Sequence, residues 1–320
     1  MIPSFQSPFS ILPDHVAAVF ATMNRAQTAE ECLKCISLQT SCPAGIFVTD
    51  NASTDNTTAI LQAYAEKHDL PLTLISLSQN LGNAGGVQTA VAKAFSQGFH
   101  AVWILDDDSW PEPEALEALL DSDGPQHAIR TSLVLAPDSD ELSWLLETTT
   151  NGKQWQDLVN RNQMSGMKWV RVRRSWLGSL ITRELYAISG PLNGDLFLRG
   201  EDEAYPRTLE RQGYHFWMAT RSILRHPKIG PLSTLSIGSN KVRLEQGLSG
   251  DKLYYRIRNM LWIKRNHEGI LVAMTLAGAY FLLLLRSFRP VQPCLRILVE
   301  ASWDAATNRL GKRYSTKHVS

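Results

Sequence analysis

Three aspartates in a row, Asp106-Asp107-Asp108, stand directly after an apolar run from His100 to Leu105. Adjacent carboxylates repel one another, and at the end of a buried strand they are costly unless a cation or a set of donors meets them. In an extended segment the first and third face the same side, so Asp106 and Asp108 can reach one hard divalent ion through oxygen. An ion held there binds the phosphates of a nucleotide diphosphate and offsets the charge that grows as it leaves. The competing reading is a helix start, because Pro111 and Pro113 follow and acids are favoured in a first turn. A second acidic cluster, Glu201-Asp202-Glu203, ends another apolar run. A carboxylate there can take the proton from an attacking hydroxyl, or simply cap the helix that follows. His226, before Pro227, would complete an Asp-Asp-His donor set suited to Mn or Mg; a lone histidine is otherwise a structural residue.

The elements that must position these groups are legible as alternating patterns. Val16 to Thr22, Gly45 to Asp50, Leu72 to Leu77 and His100 to Leu105 read as strands. Between them, Thr28 to Leu38, a stretch running to about His68, and Val87 to Gln97 read as helices. Strands interleaved with helices require crossovers, hence an α/β fold with a mainly parallel sheet flanked by helices. Ligands of such sheets bind at the carboxyl ends of the strands. Four polar loops fall there: Thr22 to Arg25, Asp50 to Asp55, the glycine-rich Asn80 to Gly86, and Asp106 to Asp108. The glycine loop has neither Rossmann nor Walker spacing; its glycines would let backbone approach a ligand at a helix N-terminus.

Further along, Ala128 to Leu135 reads as a strand, Glu141 to Arg174 as irregular, and Arg183 to Ser189 as a helix. Leu196 to Leu198 reads as a short strand and Tyr205 to Gln212 as a helix. Tyr214 to Met218 and Ser222 to Leu224 read as strands. A basic amphipathic helix from Asp251 to His267 precedes an uncharged apolar stretch, Gly269 to Leu285, and a last helix from about Leu295 to Leu310. The apolar stretch is at the short end for a membrane span and equally fits a buried helix or a dimer contact.

Composition sets the bounds. The 320 residues carry 32 Lys and Arg against 31 Asp and Glu, so nothing in the net charge of +1 points to nucleic acid. The acids concentrate between Asp50 and about Asp140, and most arginines lie beyond Lys153. Cys32, Cys35, Cys42 and Cys294 do not form a paired zinc pattern. Cys32 and Cys35 fall on a helix, and buried free thiols in a reducing cytosol are the expectation. The first fifteen residues lack the pattern of a signal peptide.

Taken together, Thr22-x-Asn-Arg25, Asp50-Asn51-x-Ser53-x-Asp55-x-Thr57, Asn80-x-Gly82-x-Ala84-Gly-Gly86, Leu105 to Asp108, Gly200 to Glu203, Gly213-Tyr214, His226 and Tyr254-Tyr255-x-x-Arg258-Asn259 resemble inverting glycosyltransferase family 2, with its GT-A fold. Within it, the chain is most similar to bacterial galactofuranosyl- and rhamnosyltransferases of cell-envelope polysaccharides. The resemblance implies that Asp106, Asp108 and His226 hold a divalent metal, Mn or Mg. It implies that Thr22, Arg25, Asp50, Asn51, Asn80, Gly85, Gly86 and Asp107 lie at the donor, and that Asp202 is the general base with Glu201 and Glu203 on the acceptor side. One departure is visible: Ala204 and Thr208 stand where the relatives usually carry Glu and Arg.

The expected organisation is a nucleotide-sugar half over 1–125, an acceptor-side half carrying the base and His226 over 126–250, and a helical membrane-associating or oligomerising region over 251–320. The expected partners are a nucleotide diphosphate sugar, a lipid-linked glycan such as O-antigen, the inner-membrane surface and a second copy of the chain, with no nucleic acid. The expected location is cytoplasmic, peripheral on the inner face of the cytoplasmic membrane. These motifs leave UDP-galactofuranose (the favoured donor), dTDP-rhamnose and UDP-galactose open. A nucleotidyltransferase, which would need a glycine-rich loop with Arg after the first strand, and a catalytically silent glycan-binding scaffold are the rival readings.

Overall fold

The computed structural model describes residues 13–313 apart from 151, 153, 239 and 249; the first twelve of the fifteen residues on which the signal-peptide expectation rests lie outside them. The chain opens with β1 (Val16–Thr22), α1 (Ala26–Ser37), β2 (Gly45–Asp50), α2 (Thr57–Lys67), β3 (Leu72–Ser76), α3 (Gly82–Ser96) and β4 (Ala101–Ile104). β1 pairs in parallel with β2 and with β4, and β2 with β3. β1 is buried along its whole length, and its alternation serves two faces. Ala17, Val19 and Ala21 pack with Val87, Ala90 and Val91 of α3, while Val16, Ala18 and Phe20 pack with Leu33 and Ile36 of α1. Such a two-faced strand reads as a continuous apolar run, which is why the parallel part was clear in the sequence.

Next come β5 (Trp110–Pro111), α4 (Ala115–Leu120), β6 (Ile129–Leu135), β7 (Glu141–Thr148), β8 (Gln156–Asn160), β9 (Trp169–Val172), β10 (Leu180–Thr182), α5 (Arg183–Ser189), α6 (Glu201–Arg211) and β11 (Phe216–Arg225). The sheet runs β3-β2-β1-β4-β10-β6-β11-β9-β7-β8, with β5 on β11. β10 bridges the two parts, antiparallel to both β4 and β6. The segment expected to be irregular therefore holds β7, β8 and β9. Their pairing is antiparallel, β9 reaching β11 about 45 residues on, and a register shift in β7 breaks the alternation that would have announced a strand. The two expected strands around Trp217 and Ile223 are one, β11, with a register shift between Ala219 and Ile223.

A hairpin of β12 (Leu232–Ile237) and β13 (Asn240–Glu245), absent from the sequence expectations, precedes α7 (Gly250–Glu268), α8 (Ile270–Ser287) and α9 (Val291–Ala306). These three helices form a separate apolar cluster with Leu196 and Phe197. Leu196 to Leu198 is not a strand: a short 3-10 turn ends at Leu196, and Phe197 takes φ 64°. The physical reason lies on α7, where the Asn259 amide donates to the carbonyls of Leu196, Leu198 and Arg199, each at 2.9 Å. A side chain thus satisfies backbone that a neighbouring strand would otherwise pair.

α8 is apolar enough to cross a membrane by length and composition, with mean hydropathy 1.9, but only 33% of it is buried. Leu271, Met274, Phe281, Leu282 and Leu285 form an exposed stripe along it. The cysteines are all free: Cys32 is buried as expected, whereas Cys35, expected buried, is only half-buried; Cys294 is buried and Cys42 exposed.

Candidate functional site

Because β1 to β4 run parallel, their carboxyl ends deliver Thr22, Asp50, Asn80 and Asp106 to one edge of the sheet. There a cleft of ≈ 2560 Å³ opens, large enough for more than one small molecule. The three aspartates divide as alternation predicts. Asp107 turns into the protein, where its carboxylate accepts from the Thr22 hydroxyl at 2.8 Å and from Arg25 at 2.8 Å. Arg25 also donates to Asp108 Oδ2 at 2.9 Å. The Ser109 hydroxyl accepts from the Asp106 N–H and donates to its carbonyl, closing the turn. The acids are therefore not a helix start; α4 begins at Ala115.

Asp106, Asp108 and His226 bring one ligand atom each within 4.8 Å of one another. His226 directly follows β11, and the Trp144 ring meets it edge-on at 5.3 Å between centroids. Its Nδ1 lies 2.6 Å from the Pro227 carbonyl, which can only accept, so Nδ1 carries the proton. Neutral, the ring then turns the lone pair of Nε2 toward Asp108 Oδ1 at 3.2 Å. Two acceptors at that distance need a cation or a proton between them. The set fits a divalent ion on these grounds: two carboxylates, one imidazole, and the Pro227 carbonyl fixing the tautomer. Without one, the proton stays, and the neighbouring Asp108 raises His226 against the lowering effect of burial.

Burial pushes Asp106 up to about 6, with Asp108 adding and His226 opposing. Burial also raises Asp107, to about 7 against the opposing Arg25. For Asp108 burial works upward but loses to His226 and Arg25, which bring it down to about 2.

The second cluster begins α6, four residues earlier than the sequence indicates. Its three acids have different fates. Glu201 is buried, accepts from Asn83 Nδ2 at 2.8 Å and from the Gly200 N–H at 3.0 Å, and is pushed to about 7 by burial and by Asp202. Glu203 pairs with Arg207 at 3.1 Å, and Arg207 and Arg174 hold it low despite burial. Asp202 is exposed to the cleft and makes no ion pair among the described residues. It sits on the wall of a deep cavity, so the surrounding protein still raises its pKa, with Arg256 opposing.

The donor-side residues sort into two groups. Thr22, Arg25, Asn51, Asn80 and Asp107 line the cleft with Asp106, Asp108, His226, Glu201, Asp202 and Glu203. Asn51 accepts from the Leu81 N–H at 3.2 Å, and Asn80 from the Gly82 N–H at 2.7 Å, so both shape the loop before α3. Asp50, Gly85 and Gly86 lie behind this surface. Asp50 is buried and accepts from the Ser53 N–H at 3.1 Å. A Cβ on Gly86 would lie 2.6 Å from Ala21 and Asn51, and one on Gly85 2.7 Å from Leu81. These glycines allow close packing of α3, and the expected loop is helical from Gly82. The sequence reading missed Asn83, which links the two acidic clusters: it bonds Glu201 and also lowers Asp106. It missed Trp144 and Arg256 as well; no local pattern marks any of them.

Comparison with known proteins agrees with this geometry. Residues 18–168 match the family described as Glycosyl transferase family 2. The chain is 24% identical over 217 residues to a galactofuranosyltransferase, GlfT1, of Mycolicibacterium smegmatis, covering 66% of this chain and 70% of that one. To the GlfT1 of Mycobacterium tuberculosis it is 22% identical over 218 residues, covering 68% and 71%. Among solved structures, the mannosyltransferase PcManGT from Pyrobaculum calidifontis, in complex with GDP-Man and Mn2+, superposes with TM-score 0.52 at 20% identity, over 94% of this chain and 79% of that one. TarS 1-349 of S. aureus in complex with UDP gives TM-score 0.53 at 14% identity, over 92% and 81%. Residues 18–168 are therefore similar to the glycosyltransferase family 2 domain, and the chain shares the GT-A fold of these solved structures.

Proposed function

We propose that this glycosyltransferase moves a sugar, with galactofuranose favoured, from a nucleotide diphosphate to a hydroxyl of a lipid-linked polysaccharide, inverting the anomeric centre. The observation that carries it is one cleft holding an Asp-Asp-His ligand set and, beside it at the start of α6, the Asp202 carboxylate, which makes no ion pair among the described residues. The likeness to galactofuranosyltransferases supports the choice of sugar.

Asp106, Asp108 and His226 would hold a divalent ion, which when bound neutralises diphosphate charge. Arg25 holds Asp108 and, with Thr22, Asp107 between the two ligand carboxylates, so Asp108 does not swing. The Asp202 carboxylate takes the proton from the acceptor hydroxyl as its oxygen bonds to the anomeric carbon. The bond from that carbon to the diphosphate oxygen breaks, and the nucleoside diphosphate leaves with the electron pair. One displacement inverts the centre. Glu201, buried and held by Asn83 and the Gly200 N–H, and Glu203, tied to Arg207, line the acceptor side without competing as bases.

The exposed stripe of α8, with Arg286 and Arg289 at its end, supports peripheral seating on a lipid surface. That would bring a lipid-linked acceptor to a cleft whose wall includes Leu271, Leu276 and Tyr280.

Calorimetric titration with UDP and with dTDP, each with and without Mn²⁺, tests the donor site. Metal-dependent binding of UDP is expected; binding of neither nucleotide would overturn the reading, and binding of dTDP alone would move the donor to rhamnose.

A further inference from the structure

α7 carries two arginines two residues apart, and the fold treats them oppositely. Arg258 is fully buried. Its Nε donates to Asn259 Oδ1 at 2.8 Å, one terminal nitrogen to the Gly311 carbonyl at 2.7 Å, and the other to the Leu196 carbonyl at 2.9 Å. Its guanidinium lies 4.9 Å from the Tyr255 ring centroid. All three guanidinium nitrogens are thus bonded within the protein.

Two residues are about 200° around a helix, and Arg256 accordingly lines the cleft. It is half-buried, and it makes no hydrogen bond or ion pair among the described residues. Its enclosed setting separates it from other cations of the cleft. Arg174, Arg199 and Arg207 are paired with glutamates, while the unpaired Arg211 and Lys252 are exposed to solvent. A guanidinium has five N–H donors, and a part-enclosed one left without acceptors is costly unless a ligand brings them.

The surroundings say which ligand. The groups that act most strongly on Arg256 are Tyr280, Asp202, Glu203 and Glu245. The carboxylates of the ligand set are not among them, so Arg256 belongs to the Asp202 side of the cleft. Three carboxylates balance its charge from a distance without touching it. An incoming anion would meet those carboxylates too, whereas neutral oxygens would not. Two neighbouring sugar hydroxyls match the two-pronged guanidinium fork and supply the missing acceptors.

We propose that Arg256 is an acceptor-binding residue, donating to neighbouring hydroxyl oxygens of the acceptor sugar and so setting the attacking hydroxyl against Asp202. The assignment rests on the transferase reading above. It places acceptor recognition on α7, beyond the region of the family match.

The test uses the full chain with UDP-galactofuranose, Mn²⁺, and octyl glycosides of galactose, rhamnose and N-acetylglucosamine as acceptors. Arg256→Met and Arg256→Lys are compared with the native protein for acceptor KM and, by calorimetry, for UDP affinity. Arg256→Met is expected to raise acceptor KM ~10–100-fold, the worth of a hydrogen-bonded charged group. UDP affinity should stay unchanged, and Arg256→Lys should fall between. An unchanged acceptor KM in both variants overturns the proposal. So does a parallel loss of UDP affinity, since the guanidinium would then serve the donor. Should Arg256→Met fail to fold, the same split in Arg256→Lys decides. If the native protein neither transfers to these acceptors nor hydrolyses the donor, the transferase reading itself falls, and this assignment falls with it.

Discussion

The two walls of the cleft are built by different means. On one side, four neighbouring parallel strands each end in a polar loop, and Thr22, Arg25, Asp107 and Asp108 lock together in one hydrogen-bonded set. On the other, Asp202, Arg256 and Tyr280 come from three helices separated widely in sequence, and Arg256 and Asp202 reach the cleft unpaired. The first wall is preorganised; the second leaves charged groups waiting for partners. A site that must hold one ligand through the reaction and admit another to it is served by that asymmetry.

The sharpest way to break the comparison is to remove one carboxylate from each wall. Asp202→Asn should lower transfer ~10²–10⁴-fold, the worth of a general base, while metal-dependent UDP binding survives. Asp106→Ala should abolish both. Near-native transfer by Asp202→Asn in a continuous assay would end its role as base.

Next in size is a stability effect at the seam between the walls. Gly82 has φ +73°, and a Cβ there would lie 2.0 Å from the Phe197 carbonyl oxygen. Gly82→Ala should cost about 3 kcal/mol, from backbone strain and forced repacking, read as a lowered denaturation midpoint. An unchanged midpoint would mean that the two walls are not held together at this contact.

Arg25→Met should weaken Mn²⁺ binding ~10–100-fold, as loss of an outer-shell partner does, and leave the melting temperature little changed. If metal affinity is untouched, the locked set of the first wall does not extend to the ligands.

A smaller effect concerns pH. Asp106, raised to about 6, and His226, also raised, hold protons in the free site that a metal must displace. Both shifts have the same sign, so Mn²⁺ affinity should rise with pH through this range and fall as pH drops below about 6, with protons released on binding. Calorimetry in buffers of different ionisation enthalpy reads this directly; no proton release would contradict it. The smallest effect is expected on α8. Leu271→Ser with Met274→Ser should change stability by no more than ~0.5 kcal/mol, because both side chains are exposed. Binding to vesicles of anionic phospholipid should nonetheless drop, as measured by co-sedimentation.

Much of the first wall was legible. The runs of β1, β2 and β4 are apolar throughout because both faces are covered, and the loop after each strand carries residues that only a turn or a ligand explains. The division of Asp106 and Asp108 from Asp107 matches the one expected of an extended chain, although a turn closed by Ser109 produces it. The start of α3 did not follow, because Gly82 to Gly86 is a poor helix former locally. It becomes helical through the contacts of Gly86 with Ala21 and Asn51 and the bond from the Ala84 N–H to Phe197. Likewise β7 to β9 hide behind a register shift and mixed faces.

What the sequence alone determined is the set of parallel strands, their helices, and the types of residue brought to the strand ends, because these depend on short-range periodicity and turn chemistry. What only the tertiary structure decided is which acid of Glu201 to Glu203 remains available, which arginine of α7 meets the cleft, and what Asn259 and Asn83 hold in place. Those outcomes depend on burial and on partners far away in the chain. The same carboxylate or guanidinium becomes a structural tie or a binding group according to whether the fold supplies its complement.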